Sequence, residues 1–322
     1  MRISLRPMFL ASCVLAAACN GGDGGGGDDD GADPDGGNVD PPGEGFRIQT
    51  PEITIEPGQE ITYCYYTTLN IPRNMGVKKW SSVMTPGSHH LIVFFQNHDK
   101  ADGAIDQSCG GVGGGGISNL PVWTYSAQQP TQSQSMPAGI GMTVNQGQKA
   151  YVQMHYFNAG DTPIQARVTI DAEAYEATET YTPAAAYVTY NTEINIPPMS
   201  TSFVQGTCSV PEGTKFFTMS THAHKRATLT RVTDGNAMVF ESTNWAEPDA
   251  RAWSAAPFYE FAGDSLTYRC EYDNRTGPTS GQNVREGDSA PTDEMCMAVG
   301  YYFIEGATTA RSRFCVNSFL VP

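Results

Sequence analysis

Short β-rich runs, each broken off by glycine, proline, asparagine or aspartate, set the limits on what this chain can fold into. They fall at 60–68, 91–96, 150–157, 166–172, 186–195, 215–224, 227–232, 237–241, 265–272 and 297–304. No long amphipathic helix interrupts them. Strands this short must be covered by another sheet to bury their apolar faces, so the pattern favours sandwiches or jelly rolls and an all-β fold.

The first residues have a different character. Arg2 and Arg6 precede an apolar run at 7–18, and small residues lead to Cys19. This is the form of a bacterial lipoprotein signal over residues 1–18, with Cys19 as the lipidated end after cleavage. It predicts a body lipid-anchored to a membrane of the bacterial cell envelope. Ala16 stands where such signals usually carry leucine. Leu10-Ala11-Ser12-Cys13 fits that detail better but has almost no apolar run before it, and a plain cleaved signal is the alternative. The run is shorter than the ~20 residues that span a bilayer. Residues 19–46 are a Gly/Asp-rich tether with little to bury. Asp28, Asp30, Asp33 and Asp35 there have the chemistry for loose calcium binding, but a solvated spacer accounts for them.

Of the net charge of −15, the signal contributes +2 and the tether −8, which leaves −9 on the body from Arg47 onward. An acidic body argues against nucleic acid as a partner. Its 276 residues suffice for two domains of sandwich size. The polar stretch 178–185 is the best boundary, giving domains at 47–180 and 181–322. The nearly all-glycine stretch 109–116 reads as a flexible loop. Six cysteines remain in the body, an even number that in an exported chain reads as disulfides, and none has the CxxC spacing of a zinc site.

Five of the six histidines fall into three short clusters: Ser88-His89-His90-Leu91, Gln153-Met154-His155-Tyr156 and Thr221-His222-Ala223-His224. A fourth segment, Asp293-Glu294-Met295-Cys296, sets a methionine beside a cysteine. Imidazole and thioether together suit a metal that cycles through Cu(I). Chain order divides the candidates into His89, His90 and His155, and then His222, His224 and Met295, which suggests two metal centres. His222 and His224 are two apart on a strand and share a face; an exposed polar strand face would look the same. Met297 shares the parity of Met295 and is its rival, and either could be core filler. His89 and His90, as neighbours, face opposite ways on a regular strand. Both can serve one metal only at a strand end or a bulge, which Pro86-Gly87 permits. His155, in an apolar strand, would alone read as a satisfied half-buried histidine.

Taken together, these motifs resemble the copper type II, ascorbate-dependent monooxygenases, the family of peptidylglycine alpha-hydroxylating monooxygenase and dopamine beta-monooxygenase. Ser88-His89-His90-Leu91-Ile92 is similar to the family's adjacent histidine pair, and Gln153-Met154-His155-Tyr156 to its Q-x-H-Y strand. Thr221-His222-Ala223-His224 is similar to its H-T-H segment, with alanine for threonine. Glu294-Met295-Cys296, followed by Tyr301-Tyr302, is similar to its E-M-C strand, which favours Met295 over Met297. The four motifs occur in the family's order across most of the body, from about Glu60 to Cys315.

The resemblance implies two tandem jelly-roll β-sandwich domains and two coppers per chain, facing each other across a solvent-filled interdomain cleft. His222, His224 and Met295 would hold the copper where O2 binds and the C–H bond of a small-molecule substrate is attacked. His89, His90 and His155 would hold the copper that stores an electron, and ascorbate or a similar reductant would reduce both. It also implies the disulfides Cys64–Cys109, Cys208–Cys315 and Cys270–Cys296. Two positions depart from the peptide-hydroxylating members: Ser220 replaces an arginine and Val299 a tyrosine that help to hold a substrate carboxylate. Their loss argues against glycine-extended peptides as substrate. The alternatives are a non-catalytic envelope copper-binding lipoprotein, and a zinc-dependent hydrolase for which Glu294 is the nearest general base.

Overall fold

A computed structural model describes residues 43–109 and 121–321. The signal, Cys19, most of the tether and nearly all of the 109–116 glycine stretch lie outside them. The described residues contain strands and no helix. The described residues belong to one compact unit.

The largest sheet passes through both halves of the chain. Its order is Gly45–Gln49, Val168–Ala174, Met75–Met84, Ile140–Val144, Thr182–Tyr190, Cys296–Ile304, Thr214–Ala223 and Arg251–Ala252. Thr182–Tyr190, which opens the second half, pairs in parallel with Ile140–Val144 and antiparallel with Cys296–Ile304. The loop before it contains residue 180, where the sequence reading set its domain boundary.

Two buried clusters flank the central strands, and the period-2 alternation of side chains assigns residues to each. Ala184, Ala186 and Val188 join the first cluster, with Met295, Met297, Val299, Tyr301 and Phe303. Ala185 and Tyr187 join the second, with Cys296, Ala298 and Tyr302. Strands buried on both faces read as continuous apolar runs, as MAVGYYFI does at 297–304. The first cluster takes in a five-stranded sheet ordered Ile105–Asp106, Glu60–Thr68, Lys149–Phe157, Ser88–Phe95 and Val122–Ala127. The second takes in a four-stranded sheet of Thr201–Ser209, Ser265–Asp273, Ala227–Asp234 and Ala237–Ser242.

The three disulfides are Cys64–Cys109, Cys208–Cys315 and Cys270–Cys296, the pairing that the resemblance implies. Cys270–Cys296 ties the four-stranded sheet to the central strand immediately after Met295.

Candidate metal centre

Ser88–Phe95 and Lys149–Phe157 are neighbours in the five-stranded sheet, and their register sets His90 directly opposite His155. The next pair is Ser88 with Tyr156, so the ladder steps over His89. His89 is thus the extra residue of a β-bulge, which turns both adjacent histidines toward one place. The His89 and His90 rings lie 5.1 Å apart, and 5.3 and 5.2 Å from the ring of His155. Gly87 turns into the bulge with φ of 96°, a conformation that side chains disfavour, and its carbonyl accepts the Phe157 N–H at 2.9 Å.

Thr214–Ala223 runs beside Cys296–Ile304 with His222 opposite Met297, and His224 follows the last strand residue. Glu294 closes that strand end. Its two oxygens accept the backbone N–H of His224 at 3.0 Å and of Arg226 at 2.7 Å, and the Arg226 guanidinium lies 3.6 Å away. Burial raises its carboxyl to about 7 in spite of those bonds. With both oxygens engaged, Glu294 braces the backbone and is not free to be the base of a zinc hydrolase.

The two histidine sets meet. His89 lies 5.2 Å from His222 and 5.5 Å from His224, ring centre to ring centre, and His90 lies 5.0 Å from His222. The solvent-filled cleft implied by the resemblance is therefore closed at this point. The cause is a set of polar ties between the halves. Glu60 accepts Ser289 Oγ–H and Ala290 N–H, both at 2.9 Å, and Gln128 donates to the Thr221 carbonyl at 3.2 Å. Two groups have ligand atoms all within 4.8 Å of one another: His89 with His90 and His155, and His89 with His222 and His224. The first is the first set read from the sequence; the second holds His222 and His224 of the second set, with His89 as its third member where the sequence reading put Met295.

Each of three rings has one nitrogen tied to an oxygen. His155 Nε2 lies 2.8 Å from Glu60 Oε1, His222 Nδ1 2.6 Å from Gln128 Oε1, and His224 Nδ1 3.3 Å from the Asp293 carbonyl. Opposite them, His89 Nε2, His90 Nδ1, His222 Nε2 and His224 Nε2 are buried with no hydrogen-bond partner among the described residues. An unpaired buried polar atom costs about 1–3 kcal/mol, and a metal ion would satisfy these four. Burial, and then the neighbouring imidazoles, push the His90 and His222 rings well below their ordinary range. The same causes push His224 well below and His89 down to about 3. All four rings are neutral at pH 7, the form that binds metal. Four imidazole nitrogens beside a thioether fit copper.

Met295 and Met297 both line a cavity of about 50 Å³ with His90, His155 and His222. Its other walls include Leu91, Phe94, Trp123 and Val299, and no lysine or arginine is among its lining residues. Ser220 donates to the Asp249 carbonyl at 2.8 Å. Neither departure from the carboxylate-binding pattern is offset by a cation on the cavity wall. The sixth histidine, His98, sits apart, with Nε2 3.2 Å from the Ala150 carbonyl and its ring against Tyr66. Glu60 and Gln128 escaped the sequence reading. Each lies outside the histidine motifs: strand pairing brings Glu60 to His155, and the meeting of the two halves brings Gln128 to His222.

Residues 184–320 match the family described as copper type II ascorbate-dependent monooxygenase, C-terminal domain. No curated protein matches the chain. Among solved structures, the major capsid protein P2 of bacteriophage PM2 overlays with a TM-score of 0.27 and 9% identity, over 82% of this chain and 100% of its own. A peptide-N(4)-(N-acetyl-β-D-glucosaminyl) asparagine amidase overlays with a TM-score of 0.40 and 8% identity, over 83% of this chain and 98% of its own.

Proposed function

We propose, for a chain whose residues 184–320 match the C-terminal domain of the copper type II ascorbate-dependent monooxygenases, that it hydroxylates a C–H bond of a small substrate with O2 and a reductant such as ascorbate. The observation that supports this most is the convergence of four unpartnered, buried imidazole nitrogens on one cluster. His89, His90 and His155 would hold one copper, and His222, His224 and Met295 a second. Bound copper supplies one-electron transfer and oxygen activation, which side chains cannot provide.

The remaining work falls to the protein. The outer oxygens of Glu60, Gln128 and Asp293 orient three of the rings. Leu91, Phe94, Trp123 and Val299 give the cavity beside the centre a largely apolar wall. A cavity of about 50 Å³ suits a molecule the size of O2 or water, since one water occupies about 30 Å³ of liquid. An organic substrate needs a site of roughly 300 Å³ or more. An adjoining groove of about 410 Å³ shares Ser126, Gln128 and Val299 with the cavity. Gln129, Gln134 and Thr218 lend it amides and a hydroxyl, and Asp249 is the one charged residue that lines it. We place the substrate there, as a small uncharged molecule bearing hydrogen-bonding groups. Lipid anchoring at Cys19 would hold the body at the bacterial cell envelope.

The small volume of the cavity also favours a second reading, an envelope lipoprotein that captures copper without catalysis. Oxygen uptake by the copper-loaded protein with ascorbate separates the two. The first reading gives uptake coupled to hydroxylated product for a neutral substrate in a panel, and less for its carboxylated counterpart. Full copper loading with no ascorbate-driven uptake above that of free copper would leave capture as the function.

A further inference from the structure

His222 differs from the other histidines in where its orientation comes from. The His155 ring is held by Glu60, from the same half of the chain, and His224 by the carbonyl of Asp293, again from its own half. His222 is held by Gln128, which directly follows the strand Val122–Ala127 of the opposite half.

The hydrogen bonds fix which end of the Gln128 amide faces the ring. Gln128 Nε2 donates to the Thr221 carbonyl at 3.2 Å, an oxygen that can only accept. Turning the amide over would set two oxygens against each other there. Oε1 therefore faces His222 Nδ1, 2.6 Å away. An amide oxygen cannot donate, so Nδ1 carries the proton and His222 is the Nδ1–H tautomer. Its Nε2 then presents a lone pair, and that atom is buried and unpartnered. Gln128 is itself held in place: its backbone N–H donates to Gln132 Oε1 at 3.0 Å, while Gln132 Nε2 donates to the Ser126 carbonyl at 3.1 Å.

We propose that Gln128 is the positioning residue of His222: it selects the Nδ1–H tautomer and so aims the Nε2 lone pair into the histidine cluster. A ligand of the second set is thereby oriented from the first half, and the second set is complete only while the halves are closed. The metal consequence rests on the copper reading above, whereas the tautomer does not.

The test uses Gln128→Met, which keeps length but has no acceptor, and Gln128→Glu, which restores the acceptor at the ring while giving up the donor to the Thr221 carbonyl. Imidazole ¹⁵N NMR of the metal-free chain should show His222 as the Nδ1–H tautomer in the wild type and in Gln128→Glu. Gln128→Met should lose that preference, while His224, held by a carbonyl, keeps its own. Cu(I) affinity, read by competition with a chelator, should fall about 10- to 100-fold in Gln128→Met and recover in Gln128→Glu. An Nε2–H tautomer in the wild type overturns the proposal, and if Gln128→Met fails to fold, that spectrum still decides. So does a Gln128→Met chain with unchanged tautomer, or with an altered tautomer and unchanged affinity. A wild type with the Nδ1–H tautomer that binds no Cu(I) overturns the copper reading and the metal role of Gln128, and leaves only the tautomer assignment standing.

Discussion

The two histidine sets are built differently. His90 and His155 face each other across two paired strands of one sheet, with His89 beside them in a bulge. His222 and His224 straddle a strand end, and their methionine candidates come from the neighbouring strand and the residues before it. The outer partners differ as well. Glu60 sets a carboxylate on His155, and the bonds from His155 and Ser289 hold that carboxyl below its ordinary range although burial would raise it. His222 and His224 meet only neutral oxygens, an amide and a backbone carbonyl. A carboxylate behind an imidazole makes it a stronger donor, which favours the more charged metal state. Neutral partners and a thioether favour Cu(I). On the proposed copper reading, two sites of unlike redox tendency would follow from the residues around them, with His89 within reach of both histidine groups.

The sharpest way to break this comparison is His89→Ala. It removes a nitrogen from both groups, so copper content should fall from about two per chain to below one. His155→Ala, which touches one group, should lose about one. Metal analysis showing the same loss in both variants would mean that His89 is not shared. Glu60→Gln comes next. It keeps the shape and an acceptor but removes the charge that separates the sets. Copper at the first set should bind about 10- to 100-fold more weakly. The reduction potential of that copper should rise toward that of the second, as spectroelectrochemistry would show. An unchanged potential would remove the carboxylate from the account.

The metal-free chain should also be acid-sensitive, through two rings from each set. Unfolded histidines take up protons near pH 6.5, while in the folded chain His89 does so only near 3 and His90, His222 and His224 far below the ordinary range. The unfolded state therefore binds more protons below pH 6.5, and stability is lost as pH falls through that value. The slope is on the order of 1.4 kcal/mol per histidine per pH unit. Glu294 acts oppositely: its carboxyl, raised to about 7, adds stability below that pH that is lost as pH rises from 4.5 through 7. Four histidines outweigh one carboxyl, so the melting temperature should drop between pH 6.5 and 5. A flat profile would mean that the rings are not sealed from water.

The histidines of the candidate site stood out because they lie within short local patterns. The bulge at His89 follows from needing two adjacent imidazoles on one side, and Gly87 supplies the turn. The strands Glu60–Thr68 and Ser265–Asp273 were plain from their richness in β-forming residues, and the second also alternates in burial. Thr131–Ser135 was not, because TQSQS has no apolar residue and forms a strand only by pairing with Met75–Met84. Met75–Met84 was missed as well, since two lysines interrupt its apolar pattern. Closure of the two sets was hidden for a related reason. It depends on Glu60 and Gln128, side chains far from the histidines in sequence, and on bonds that exist only once the halves meet.

The smallest expected effect decides which methionine completes the second set. Met295 and Met297 lie on the same side of the chain by parity, and both join the first buried cluster and line the cavity with His222. The register sets Met297 straight across from His222, whereas Met295 stands one residue before the strand, its carbonyl held by Tyr272 Oη at 2.9 Å. The E-M-C resemblance assigns the ligand to Met295. Met→Leu nearly conserves volume, so either change should alter stability by less than about 1.5 kcal/mol. Thermal melts should therefore hardly distinguish the two variants, but Cu(I) should. Met295→Leu removes the thioether and should weaken Cu(I) at His222 and His224, while Met297→Leu leaves it near the wild-type value. X-ray absorption at the copper edge should show sulfur scattering in Met297→Leu and none in Met295→Leu. The opposite outcome would move the ligand to Met297, directly opposite His222 in the sheet, and would leave the contrast between an all-imidazole set and a thioether set standing.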